Sequence, residues 1–167
     1  MNRTVLVFSD SHGNERRMQN IIDAYNGDYD AVFFLGDGIY DAEKLKIPES
    51  KRLIAVTGNC DYRSHAPSAA LFEVGGYIFF LCHGHEFGVK GSLAALEKRA
   101  RAEGADAALF GHTHIPYESC VTDGGRPLYL FNPGSLSFPV RGGSSFGVIT
   151  VTPGGLLFSH GDAEAYN

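Results

Sequence analysis

Five times in this chain a short run of apolar residues ends and a polar residue able to hold a metal follows at once. "TVLVF" (4–8) leads into Ser9, Asp10, Ser11 and His12, and "AVFFL" (31–35) into Gly36 and Asp37. "RLIAV" (52–56) leads into Thr57, Gly58 and Asn59, and "YIFFLC" (77–82) into His83, Gly84 and His85. "AALF" (107–110) leads into Gly111, His112, Thr113 and His114. Such continuous runs are expected to be strands buried on both faces. In open α/β sheets ligands sit outside the carboxyl ends of the strands. If the five strands are parallel, the side chains that follow them gather on one rim.

The rest of the pattern supplies the layers. Residues 14–25 place Met18, Ile21, Ile22 and Tyr25 on one helical face, with Asn14 as the N-cap. Residues 91–103 predict a second helix, with Ser92 as N-cap, Leu93, Leu96 and Ala100 as its inner stripe, and Gly104 as its stop. A short helix is expected near 41–45. "ALFEV" (70–74) and "YIFFLC" flank Gly75-Gly76, a hairpin signal. After residue 115, "PYESCV", "DGGR" and "PLYLF", then "FGVITV", "PGG" and "LLFSH", read as hairpins in a β-meander. A βαβ-like first part and a β-rich last third predict an α/β fold of two packed sheets with outer helices, as one domain over residues 1–167.

Charge narrows the partners. The formal net charge is −5 and no basic stripe exists, so no dedicated nucleic-acid surface is expected. An acidic chain that handles phosphate needs local positive charge, which a metal supplies. No apolar run has membrane-spanning length, and the N-terminus reads as a first strand rather than a signal peptide. Cys60, Cys82 and Cys120 are widely spaced, which predicts reduced thiols in a cytoplasmic protein, used for packing. Edge strands of the meander leave a homo-oligomer open.

Asp10/His12 and His112/His114 are i,i+2 pairs, which point to one side in extended backbone. Alone, H-x-H suits a polar loop, a hydrogen-bonded pair or metal ligands. Asp10 and Asn59 alone suit turns. Five such groups after five strands point to a metal centre.

The series D-x-H, GD, GN, H-x-H, GHTH over residues 10–114 resembles the calcineurin-like metallophosphoesterase family. It is most similar to the family's small single-domain phosphodiesterase branch, and the retromer-type scaffold subunit is also similar. The resemblance implies a four-layer α/β/β/α sandwich with a two-metal site at the strand C-terminal ends. It implies that Asp10, His12, Asp37 and His114 hold one ion, that Asp37, Asn59, His83 and His112 hold the other, and that Asp37 bridges them. Asp37, Asn59 and His83 are carried over as catalytic. The implied activity is phosphodiester hydrolysis of a small substrate by a metal-bridging hydroxide. The alternatives are a phosphomonoesterase acting on a small metabolite and a non-catalytic protein-binding scaffold. Nitrogen and oxygen donors without thiolate favour two divalent ions of the Mn, Fe, Ni, Zn or Co type, with Mn expected. Two divalent ions and two carboxylates leave a net charge of about +2, suited to a phosphate ester.

Many relatives carry GNHE or GNHD, whose His is thought to protonate the leaving group. Here the block is GNCD, with Cys60 and Asp61 after Asn59. Slower turnover of esters with poor leaving groups is therefore expected. Asp61 reads either as a residue orienting an imidazole or as a turn residue. His85 reads either as a substrate contact or as a turn cap. Asn132, Ser135 and Arg141, in "FNPGSLSFPVRGG" (131–143), either contact substrate or shape the rim. His65 and His160 are expected at the surface. Arg16 and Arg17 are expected on a solvated helix face, with Arg16 in reach of substrate.

Overall fold

The computed structural model describes residues 1–123 and 125–167. Strand β1 (Arg3–Phe8), helix α1 (Glu15–Ala24), strand β2 (Ala31–Phe34), helix α2 (Ile39–Glu43) and strand β3 (Arg52–Ala55) open the chain. Strands β4 (Ala69–Val74) and β5 (Tyr77–Cys82), helix α3 (Ala94–Ala102) and strand β6 (Ala107–Leu109) follow. Strands β7 (Tyr117–Val121), β8 (Leu128–Asn132), β9 (Ser145–Thr152) and β10 (Gly155–Asp162) close it.

The strands form two five-stranded sheets, ordered β10-β9-β1-β2-β3 and β4-β5-β6-β8-β7. Strands β1, β2 and β3 run parallel in the first, and β5, β6 and β8 run parallel in the second. The five runs read from the sequence are thus parallel in two groups, one in each sheet. The last third is not one meander. The β7–β8 hairpin joins the second sheet and the β9–β10 hairpin joins the first. The DGGR turn includes Gly124, outside the described residues. The β4–β5 hairpin turns at Gly75 and Gly76 as expected.

The period-2 pattern explains the layering. Val5, Val7 and Phe33 meet Phe79, Leu81, Leu109 and Phe131 between the sheets. Leu6, Phe8, Val32 and Phe34 face the other way, onto Met18, Ile21 and Ile22 of α1 and Ile39 and Ala42 of α2. Phe80, Cys82, Ala108 and Leu130 face Leu96 and Ala100 of α3. The result is an α/β/β/α sandwich. Strand β3 is only half-buried, unlike the other runs, because it forms the edge of its sheet.

Local signals hold with one shift. Asn14 caps α1 by accepting the Arg17 N–H at 3.2 Å. Leu93, not Ser92, is the N-cap of α3. The chain closes a turn on Gly88 first, and Ser92 Oγ accepts the Ala94 N–H at 3.1 Å. Among the described residues, no helix is long and apolar enough to cross a membrane.

Candidate metal centre

All seven expected ligands follow strands whose carboxyl ends share one rim, but the backbone is not extended there. Asp10, His12, Asp37, His112 and His114 have φ of 55°, 43°, 59°, 70° and 58°. This is the left-handed region, which side chains other than Gly, Asn and Asp rarely adopt. The i,i+2 spacing therefore works through reversed backbone at each strand end. His112 and His114 face different groups. Asp10, His12 and His114 form one triad, and Asp37, His83 and His112 form another, with the donor atoms of each triad within 4.8 Å of one another.

The triads adjoin through their carboxylates. Asp37 Oδ2 lies 3.2 Å from His83 Nε2 and 4.0 Å from His12 Nε2, so it faces both groups. Asp10 Oδ1 lies 3.0 Å from His114 Nε2, 3.7 Å from His83 Nε2 and 3.8 Å from His12 Nε2. The second oxygen of each carboxylate is held by protein. Asp37 Oδ1 accepts the Cys60 N–H at 2.8 Å. Asp10 Oδ2 accepts the Ser9 hydroxyl at 2.6 Å and the His112 N–H at 3.1 Å. Asp10 Oδ1, His12 Nε2 and His83 Nε2 are buried without a hydrogen-bond partner. Buried polar atoms are almost always paired, so donor atoms that converge this closely without well-aligned hydrogen bonds fit cations between them.

Outer contacts aim the imidazoles. His83 Nδ1 is 2.7 Å from the Leu35 carbonyl, and His114 Nδ1 is 2.6 Å from the Phe138 carbonyl. A proton on each Nδ1 leaves Nε2 as the free donor. Asp61 orients no imidazole. Its carboxylate accepts the N–H groups of Asp37, Gly38 and Gly58 at 2.8 Å and of Ile39 at 3.0 Å. It clamps the loop after β2 to the loop after β3. Gly58 is required in that clamp, because a Cβ there would stand 2.6 Å from the Asp37 nitrogen. Gly111 has no space for a Cβ either, since it would stand 2.8 Å from Asp10 Oδ2.

The titration shifts follow from this packing. Burial pushes Asp10 up, but the imidazoles of His114, His12 and His83 outweigh it and hold its carboxyl well below the usual range. Asp37 is also lowered, with burial opposed by His83. His83 is raised, since Asp37 and Asp10 overcome its burial. His114 is raised by Asp10. His112 is lowered to about 4 by burial and by the charges of His83 and Lys90, which keeps its imidazole neutral at pH 7.

The remaining expected residues divide. Asn59 is exposed, with its amide 3.6 Å from Cys60 Sγ. His85 packs by His83 and His112, with ring centroids 5.5 and 6.1 Å away, and its Nδ1 is buried without a partner. It sits beside the second triad rather than capping a turn through that nitrogen. Asn132 is buried and its amide is used internally. It donates to the Gly111 carbonyl and Thr113 Oγ1 at 3.0 Å and accepts the Gly134 N–H at 2.8 Å. Ser135, also buried, donates to the Asp10 carbonyl at 2.9 Å. Both shape the rim, while Arg141 is exposed. His65 and His160 are exposed as expected. Arg17 is half-buried rather than free on a solvated face, because it donates to the Leu136 carbonyl at 2.8 Å and to Asn167, whereas Arg16 is exposed. Of the cysteines only Cys82 packs in the core; Cys60 and Cys120 are exposed, and all three are free.

Sequence reasoning missed Asp41, Ser137 and Phe138. Buried Asp41 accepts the Ser11 hydroxyl at 2.6 Å and the Gly13 N–H at 2.8 Å, which fixes the Asp10–His12 turn. Ser137 donates to the Ser11 carbonyl at 2.5 Å. The Ser-rich "GSLS" (134–137) carried a signal for the second, since Ser competes for local backbone groups.

The calcineurin-like phosphoesterase superfamily domain matches residues 4–154, and the chain belongs to that family of metal-dependent phosphoesterases. The probable metallophosphoesterase YsnB of Bacillus subtilis is 32% identical over 148 residues, covering 88% of this chain and 83% of that protein. The phosphodiesterase YfcE of Escherichia coli is 28% identical over 169 residues, covering 87% and 86%. A predicted phosphoesterase from Streptococcus pneumoniae superposes with a TM-score of 0.81 at 27% identity, covering 98% of this chain and 91% of that one. Vps29 of Entamoeba histolytica, complexed with zinc, shares the fold with a TM-score of 0.68 at 22% identity, covering 96% and 99%.

Proposed function

We propose that residues 1–167 form one catalytic domain, a dinuclear metal-dependent phosphodiesterase of the cytoplasm. The observation that carries this reading is the pair of adjoining donor triads, with Asp37 Oδ2 facing both and three buried donor atoms left without partners. Asp10, His12, Asp37 and His114 would hold one ion. Asp37, Asn59, His83 and His112 would hold the other. Manganese suits the nitrogen and oxygen donors, as do Fe, Ni, Zn and Co. When bound, two divalent ions supply Lewis acidity toward phosphoryl oxygens and acidify water near neutral pH.

The chain's own residues do the positioning. Leu35 and Phe138 carbonyls fix the His83 and His114 tautomers. Asp61 fixes Asp37 beside Gly58, one residue before Asn59. Cys60 stands where many relatives place a proton-donating His. Burial and the nearby Asp37 push its thiol up, so it is protonated at pH 7 and a weak acid. A small phosphodiester is the proposed substrate, in keeping with the name of the YfcE relative. The complete donor set weighs against a scaffold without catalysis.

The test is hydrolysis of an aryl phosphodiester by metal-stripped protein, before and after Mn²⁺, with Asp37→Asn as control. Metal-dependent turnover that disappears in the control is expected. Binding of divalent ions without turnover of any ester would favour the scaffold.

A further inference from the structure

The loop after β8 has a second face. Its inner side is fastened to the metal-site turns. Ser135 Oγ donates to the Asp10 carbonyl, the Leu136 N–H donates to the Ser9 carbonyl at 3.1 Å, and the Val140 N–H donates to the His114 carbonyl at 3.3 Å. The Phe138 N–H donates to Ser135 Oγ at 2.8 Å, and the Phe138 carbonyl receives His114 Nδ1. A loop held at this many points has little freedom to bury its side chains elsewhere. Yet Phe138 is 59% exposed and Val140 is 63% exposed. The Phe138 ring packs against His12 of the first triad, at 5.3 Å between centroids and 56° between planes.

We propose that Phe138, with Val140 two residues on, is the platform that receives an aromatic ester group of the substrate. This rests on the reading of the site as a phosphoesterase. A phosphoryl group held at the triads would lie beside His12, and an aromatic group carried on it, directly or through an ester oxygen, would then reach the Phe138 ring. Planar groups stack on an exposed aromatic face with useful affinity and little demand on sequence or shape. An aryl or nucleobase-bearing ester is thus selected over a small alkyl ester. The ring acts on binding, while the backbone carbonyl of the same residue acts on His114. Truncating the side chain leaves the carbonyl in place.

The experiment is calorimetric titration of Mn²⁺-loaded protein with phenylphosphonate and methylphosphonate, neither of which needs turnover. The wild type is expected to prefer the phenyl compound by about five- to tenfold, from one aromatic contact. Phe138→Ala is expected to reduce that preference below about twofold, read as the ratio of the two affinities so that any change at His12 common to both compounds cancels, and Phe138→Leu to fall between. An unchanged preference in Phe138→Ala overturns the proposal and leaves the phosphoesterase reading intact. Failure of both compounds to bind overturns both. A change of sedimenting mass in Phe138→Ala would make this surface an interface between copies, and also overturns it.

Discussion

Asp37 and Asp10 each give one oxygen to the protein and turn the other toward imidazoles. That division sets protons and metal in competition for the same imidazole nitrogens. His83 and His114 are raised from 6.5 by these carboxylates, while a bound metal needs both Nε2 atoms unprotonated. Metal affinity is therefore predicted to rise with pH until both raised imidazoles have lost their protons, above 6.5, and to level off beyond, with protons released on binding below that point. His112, lowered to about 4, contributes none of this at pH 6 and above. Titrations in buffers of different ionisation enthalpy measure the release, and a pH-independent affinity would count against the pairing. The Cys60 thiol raises a second residue-scale prediction. Cys60→His should speed alkyl diesters by about tenfold or more relative to aryl diesters, since general acid catalysis matters most for poor leaving groups. Equal effects on both classes would refute that role.

The elements deliver these residues through their ends. The strand runs and helix stripes were legible because burial imposes a period of 2 or 3.6 on the sequence. The six residues of the two donor triads were legible as candidates because each follows such a run. The conformation of those positions was not, since left-handed φ at His112 and His114 arises from tertiary constraint rather than propensity. Nor was the role of Asp61, whose four N–H partners come from two different loops. Carbonyl partners such as Leu35 and Phe138 carry no residue-type signal at all. Asp61→Ala removes four charge-assisted hydrogen bonds that join the loops after β2 and β3. It is predicted to cost about 3 kcal/mol in urea unfolding and to weaken metal binding. A loss below about 1 kcal/mol would make the clamp incidental.

At the scale of the molecule, the centre joins two sheets. Asp10, His12 and Asp37 follow strands of one sheet, and His83, His112 and His114 follow strands of the other. The sequence could not reveal this split, because strand order is set by long-range pairing that leaves no local pattern. An ion bound there ties the sheets together and binds the folded state alone. Saturation at about a hundred times the dissociation constant adds about 2.7 kcal/mol per site. That should raise the melting temperature by about 5–10 °C for each ion bound to a chain of this size, and chelation should reverse it.

The most direct test of the proposed dinuclear centre is the number of ions retained per chain after Mn²⁺ loading and dialysis, by plasma mass spectrometry. The arrangement predicts two in the wild type and no more than one in Asp37→Asn, because Oδ2 of that residue faces both triads. One ion in the wild type, or two retained in the variant, would contradict it.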